Sequence, residues 1–265
     1  MPEGHTIHRL ARDLNRDLKG HPVQASSPQG RFRDGARLID GQPLERAEAW
    51  GKNLFLTFDT NEIVYVHLGL IGKFRRHALP APAARGAIRL RLAGPEAGWD
   101  LTGPNACKLV TRAEKLRTVN KLGPDPLRRG TTPETFEAKA ARSSRPIGAV
   151  LLDQATIAGV GNVYRSEFCF LAGVHPMTAA NELADGTSRI LWDLSVEHLK
   201  EGVRLNRIVT REPKEVGMTR GRIPPRHRLY VYKRHHQPCH RCGTPIEQGE
   251  VAARTAWWCP RCQPR

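Results

Sequence analysis

Apolar residues near the start of the chain recur at helical intervals. Ile7, Leu10, Ala11, Leu14 and Leu18 share one face of a 3.6-residue repeat, and Gly20 supplies a stop. An amphipathic helix beginning just after Gly4 is predicted. From about residue 36 to residue 112 the period shortens to two. NLFLTF and EIVYVHL flank DTN as the strands of a hairpin, and AIRLRLA sets Ile88, Leu90 and Leu92 against arginines on the other face. The segment LGPDPLRRGTTP is rich in turn residues and marks a boundary. Thr132, Pro133 and Glu134 then begin a helix with a cap, a first-turn proline and an early acid in order. The helical reading continues to about residue 204. Within it, LLDQATIAGVGNVYRSEFCFLAG carries two apolar helical faces joined by AGVG. Tyr164, Phe168 and Leu171 keep helical spacing in the second, and Gly173 ends it. An irregular basic stretch, REPKEVGMTRGRIPPRHR, leads to a cysteine-bearing tail. The class is therefore α+β: a β-rich part over 1–125, a helical part over 126–232 and a small tail over 233–265.

Charge narrows the class of partner. The 265 residues hold 42 Lys and Arg against 26 Asp and Glu, a net +16. Such an excess suits a polyanion, either nucleic acid or an acidic membrane surface. Solubilising surface charge is the competing reading. No apolar run is long enough to span a bilayer. The opening HTIHRLARDLNRDL mixes charges throughout, unlike a secretory signal. The expectation is a cytoplasmic protein, in which six cysteines do not form a disulfide framework.

Four of those cysteines point to metal. Cys239 and Cys242 in CHRC, and Cys259 and Cys262 in CPRC, have two residues within each pair and sixteen between the pairs. Two such knuckles bring four thiolates onto one tetrahedral Zn²⁺ with no open position, which makes the ion structural; an iron–sulfur or redox role is the alternative. The zinc would hold a hairpin too short to fold on its own core. Arg254, between the knuckles, is either a phosphate contact on a rigid hairpin or a solvated surface arginine. Trp257 and Trp258 read as packing residues. Gly159 and Gly161 permit a sharp turn, after which Asn162 stands at a helix start. There free amides and the helix dipole form a natural phosphate site, although a plain packing hairpin fits the same letters. The terminus MPEGH is the remaining candidate. Removal of Met1 would leave Pro2 with a free secondary amine and Glu3 beside it at a helix N-terminus, either a catalytic amine–acid pair or a chain start without functional meaning.

Taken together, PEG after Met1, GKNLF, HLGLIG, LLDQATIAGVGNVYRSE and the terminal CHRC…CPRCQ resemble, in this order, the Fpg/Nei DNA glycosylases. The resemblance spans essentially the whole chain. It implies an N-terminal β-sandwich with flanking helices, then a helix-two-turn-helix domain with a C-terminal zinc finger. It implies a base-excision enzyme that cuts the N-glycosidic bond of an oxidised base and nicks the strand by β,δ-elimination. By position, Pro2 matches the family's nucleophile and Glu3 its acid/base. Lys52 matches the lysine assisting β-elimination, Arg254 the arginine of δ-elimination, and Asn162 the phosphate-contacting asparagine. In HLGLIG, Leu70 or Ile71 is either the wedge that fills the gap left by a flipped base or an ordinary core residue. The implied partner is damaged DNA, mainly duplex, bound by a monomer holding one structural zinc. PEGHT in place of the formamidopyrimidine branch's PELPE, and the basic segment in place of its longer glycine-rich loop, lean toward the endonuclease VIII branch. That branch favours oxidised pyrimidines. Formamidopyrimidine or 8-oxoguanine specificity is the alternative, and a catalytically dead damage-binding relative is the reading from another class.

Overall fold

The opening apolar stripe folds as α1 (Gly4–Leu18), with Ile7, Leu14 and Leu18 fully buried. In this computed structural model residues 2–265 are described. The expected loss of Met1 concerns a residue outside them. The chain divides into two compact units between Lys121 and Leu122.

In the first unit α1 lies along β2 (Gln42–Trp50). Asn15 fixes the contact by bonding both backbone groups of Ala47, accepting its N–H at 2.7 Å and donating to its C=O at 2.8 Å. The remaining elements are β1 (Pro22–Ser26), α2 (Arg33–Ile39), β3 (Asn53–Phe58), β4 (Ile63–His67), β5 (Lys73–Ala78), β6 (Ile88–Ala93), β7 (Ala97–Thr102), β8 (Ala106–Val110) and α3 (Arg112–Asn120). All strand pairs are antiparallel, in the order β5-β7-β6-β1-β2-β3-β4-β8. The join between the two four-stranded groups is short: β1 and β2 pair only at Pro22–Pro43 and Val23–Gln42. Leu90, Leu92, Trp99 and Leu101 from one group and Leu54, Leu56, Phe58, Val64 and Val66 from the other share one core with α1. Two layers closing on one apolar interior is the expected β-sandwich. Each fully buried leucine there contributes about 1.5–3 kcal/mol over its exposed state. Helix α3 is started by a capping box, in which the Glu114 N–H donates to Thr111 Oγ1 and the Thr111 N–H to the Glu114 carboxylate.

The second unit is helical and then metal-tailed. It contains α4 (Glu134–Ala141), α5 (Ile147–Val150), α6 (Asn162–Leu171), α7 (Thr187–Leu205), α8 (Pro213–Val216) and the hairpin β9 (Glu247–Val251) and β10 (Arg254–Trp258). Phe136, Ile147, Tyr164, Phe168, Leu191, Trp192 and Leu199 form its main core. Phe170, Tyr230, Val231, Ile246 and Trp257 form a second one beneath the tail. Helix α6 serves both: Tyr164 and Phe168 face the helices, while Phe170 stacks on Tyr230 at 4.6 Å. Helical part and tail thus belong to one unit.

Candidate active site and metal centre

The first unit carries Pro2 and Glu3. Glu3 is the residue that caps α1, in extended conformation, and its carbonyl accepts from the Thr6 N–H at 2.9 Å. Its side chain is fully buried, 0% exposed. A carboxylate there lies at the positive end of the α1 dipole. Pro2, half-buried, is its direct neighbour. His5, two residues after Glu3, is buried, and burial pushes its imidazole down to about 4, so it is neutral at pH 7.

Lys52 sits in a turn whose backbone demands glycine just before it. Trp50 pairs with Asn53 across β2 and β3, leaving Gly51 and Lys52 as a two-residue hairpin loop. Gly51 has φ 56° while Lys52 is not left-handed, the requirement of a type II′ turn, where glycine takes the first position. Asn53 braces the turn: its Nδ2 donates to the Trp50 carbonyl at 3.0 Å, and its Oδ1 accepts from the Tyr65 hydroxyl at 2.9 Å. Asn53 also pairs with His67 on β4. Burial, with the nearby Lys52 ammonium adding to it, lowers the His67 pKa. The GKN motif therefore delivers a lysine beside a histidine whose charged form is disfavoured.

After β4 the chain turns sharply, with the Gly72 N–H donating to the Leu68 carbonyl at 3.0 Å. A Cβ on Gly72 would meet that carbonyl oxygen at 2.2 Å, so only glycine closes this turn. Leu68 is buried, but Leu70 is 60% and Ile71 78% exposed. Neither is a core residue.

The four cysteines meet as their spacing predicts. All four Sγ atoms lie within 4.8 Å of one another. Cys239 and Cys262 are 3.9 Å apart and Cys242 and Cys259 3.4 Å. These separations bracket the edge, about 3.8 Å, of a tetrahedron with Zn–S bonds of about 2.3 Å. Backbone N–H groups of Arg241 and Cys262 point at Cys239 and Cys259 sulfurs, at 3.4 and 3.5 Å. Buried Gln263 accepts from the Cys259 N–H at 2.9 Å and donates to the Val174 carbonyl at 2.8 Å, tying the knuckle to the turn after α6. The donor set fits one closed, structural Zn²⁺. Glu197, His198 and Glu212 also converge, but Arg220 bonds both carboxylates, at 3.0 and 2.9 Å, and neutralises them.

The metal-held hairpin presents Arg254 as the first residue of β10, exposed. Its turn is Ala252-Ala253, both left-handed with φ 53° and 54°. That conformation costs a non-glycine residue about 1–2 kcal/mol. Asn162 begins α6 but its side chain is buried, with Nδ2 donating to the Thr255 carbonyl at 3.0 Å. Its Oδ1 accepts from Arg165. Sequence reasoning missed Arg165 and Glu167, both 0% exposed. Glu167 takes the backbone N–H groups of Tyr230, Val231 and Tyr232 at 2.8, 2.9 and 2.9 Å, and so fixes the turn entering the tail. Two charges within a turn of α6 were the available signal, since a helix packed on both sides has no solvent face for them.

Residues 1–102 match the formamidopyrimidine-DNA glycosylase N-terminal domain, residues 122–214 its H2TH domain, and residues 237–265 the zinc finger found in FPG and IleRS. The chain belongs to the Fpg/Nei family of DNA glycosylases. Endonuclease 8 1 of Mycobacterium tuberculosis is 42% identical over 267 residues, covering 99% of this chain and all of that protein. The formamidopyrimidine-DNA glycosylase of Bacillus licheniformis is 31% identical, with 99% of each chain covered. The fold agrees with Lactococcus lactis Fpg, solved with DNA containing an abasic site, at TM-score 0.81 and 24% identity, covering 99% of this chain and all of that one. The Fpg/Nei assignment makes this a base-excision repair glycosylase with AP lyase activity. Among the described residues no helix is long and apolar enough to cross a membrane.

Proposed function

We propose that this Fpg/Nei glycosylase excises oxidised pyrimidines from duplex DNA by covalent catalysis through Pro2. The observation that carries the catalytic reading is the fully buried Glu3 beside Pro2 at the head of α1. Once Met1 is removed, the Pro2 amine attacks the sugar C1′ and the base leaves with its bonding electrons. An attacking amine must be neutral. A generic α-amino group of pKa about 7.7–8.0 is roughly a tenth neutral at pH 7, against about one in a few thousand for lysine near 10.4. Proline is more basic than the generic amine, so its surroundings must lower it. The adduct opens to an iminium that has no N–H to lose and retains its charge. That cation draws electrons from C2′, a C2′ proton departs, and the 3′-phosphate is expelled. A second elimination releases the 5′-phosphate. Glu3 is the acid that protonates the opening sugar and the base that carries protons afterwards.

Lys52 supplies positive charge to the first departing phosphate and Arg254 to the second. The backbone amides heading α6, from Asn162 on, receive a backbone phosphate near the lesion. Leu70 and Ile71 occupy the space vacated by the flipped base. Pyrimidine specificity is supported by the closer likeness to endonuclease 8, 42% against 31% for the formamidopyrimidine enzyme. The site of action is nucleoid DNA in the cytoplasm, and the enzyme works as a monomer.

Incubation with a panel of lesion duplexes, with and without borohydride, tests the reading. The processed protein should form a reducible adduct mapped to Pro2, fastest on oxidised pyrimidines, and leave β- and δ-elimination ends. Absence of any adduct on abasic DNA would leave a damage-binding relative. Faster adduct formation on formamidopyrimidine lesions would reverse the specificity.

A further inference from the structure

The tip of the β9–β10 hairpin is a turn that its own residues do not favour. A two-residue loop with both positions left-handed normally takes asparagine or glycine. Here both positions are alanine, at φ 53° and 54°. Such a conformation persists only when its surroundings over-determine it. The surroundings are Arg165, which reaches from the first turn of α6 and is fully buried. Its Nη1 donates to the Val251 carbonyl at 3.1 Å and the Gly148 carbonyl at 3.4 Å. Its Nη2 donates to the Thr255 carbonyl at 3.0 Å and the Arg254 carbonyl at 3.5 Å. Nη2 also donates to Asn162 Oδ1, and Asn162 Nδ2 donates to the same Thr255 carbonyl. Carbonyls before the turn and after it thus converge on one guanidinium.

We propose that Arg165 is a positioning residue for Arg254, locking the carbonyls on both sides of the two-alanine turn and so fixing the direction in which Arg254 leaves the hairpin. This rests on the reading of Arg254 as a phosphate contact. The exposed Arg254 side chain has several rotatable bonds, and ordering it on DNA costs entropy. A backbone fixed in advance lowers that cost and holds the guanidinium where the second phosphate departs. Lysine at 165 keeps the charge but loses the planar fork that reaches several carbonyls at once.

The test uses full-length, zinc-loaded protein carrying Arg165→Lys, Arg165→Gln, Arg254→Ala, or Arg165→Lys with Arg254→Ala. Zinc content, the rate of borohydride trapping and the fraction of δ-elimination ends on an abasic duplex are measured for each. Arg165→Lys should keep its zinc and trap within about threefold of wild type, because Pro2 chemistry lies elsewhere. Its δ-ends should fall to the level of Arg254→Ala, and the double variant should be no worse than Arg254→Ala alone. If only one Arg165 variant retains zinc, that one is read. Wild-type δ-ends in a zinc-bearing Arg165 variant, with Arg254→Ala impaired, overturn the proposal and leave the Arg254 reading intact. Additive losses in the double variant overturn it as well. Zinc loss in both Arg165 variants assigns the clamp to the fold of the finger and overturns its aiming role. Wild-type ends in Arg254→Ala remove the Arg254 reading and this proposal with it.

Discussion

Single side chains carry the chemistry, and their surroundings set what each can do. Arg254 projects from a hairpin held by four thiolates, so its removal should leave zinc and fold in place. A well-made charged hydrogen bond is worth about 1.5–3 kcal/mol, so Arg254→Ala should weaken lesion-DNA binding roughly ten- to a hundredfold. It should also shift products from δ- toward β-elimination ends. Equilibrium binding and gel analysis of the ends check both. His5 contributes to the acid sensitivity of the first unit. Its folded pKa, about 4, lies below the ordinary 6.5. Below pH 6.5 the unfolded chain takes up a proton that the folded chain refuses, so the contribution is whole above 6.5 and is lost as pH falls toward 4. The loss is on the order of 3 kcal/mol at pH 4. Denaturant unfolding of His5→Gln should show a shallower decline over that window, and an unchanged slope would place the acid lability elsewhere. The cysteines were legible in the sequence because a tetrahedral thiolate site admits few residue types at that spacing, whereas Pro2 and Glu3 stood out only through the family resemblance. Arg165 was not legible, because an arginine in a helical stretch ordinarily faces water. Only the tertiary fold shows that it ends among backbone carbonyls.

At the scale of elements, the turn after β4 separates packing from function. Leu70 and Ile71 are exposed while Leu68, two residues earlier, is buried. Replacing both by alanine should leave the unfolding free energy within about 0.5 kcal/mol of wild type, as for surface changes elsewhere. Adduct formation on a lesion in duplex DNA should slow, and on a lesion in single-stranded DNA it should not. A wedge fills a gap only where a partner strand has lost its stacking neighbour. Equal slowing on both substrates would make the loop a general DNA contact. The elements legible in advance are those with a long, regular period: α1, the β3–β4 hairpin, β6 and α6. Two short ones, β1 and α2, were not. β1 buries only Val23 among five residues, and α2 only Ala36 and Ile39 among seven. Neither is long enough to show a repeat, and each owes its form to the strands or core beside it. The boundary between the two units, expected near residue 125, falls after Lys121. The turn-rich LGPDP packs with the second unit: the Gly123 N–H donates to the Gln154 carbonyl at 2.8 Å, and Pro124 accepts from the Ala158 N–H at 3.0 Å.

Across the whole molecule, metal and charge act on different quantities, and this makes them separable. Cys259→Ser removes one of four ligands, and the hairpin should lose its order because the tail's small core does not hold it alone. Binding and δ-elimination should then fail together, with borohydride trapping on abasic DNA less affected, since Pro2 and Glu3 belong to the first unit. Zinc analysis and trapping on one preparation read both. The net charge of +16 sets the response to salt. Each phosphate neutralised on a duplex releases condensed counterions and contributes about −0.9 to the slope of log K against log salt. A footprint of six contacts would therefore cost about a thousandfold in affinity between 50 and 200 mM salt. Arg254→Ala, removing one contact, should make the slope shallower by about one unit, on lesion and undamaged duplex alike. Leu70 and Ile71 neutralise nothing, so their alanine variant should lower affinity with the slope unchanged. Titration at several salt concentrations distinguishes the two. A flat dependence for the wild type would mean that the basic excess faces away from DNA, and an unchanged slope in Arg254→Ala would mean that this arginine touches no phosphate.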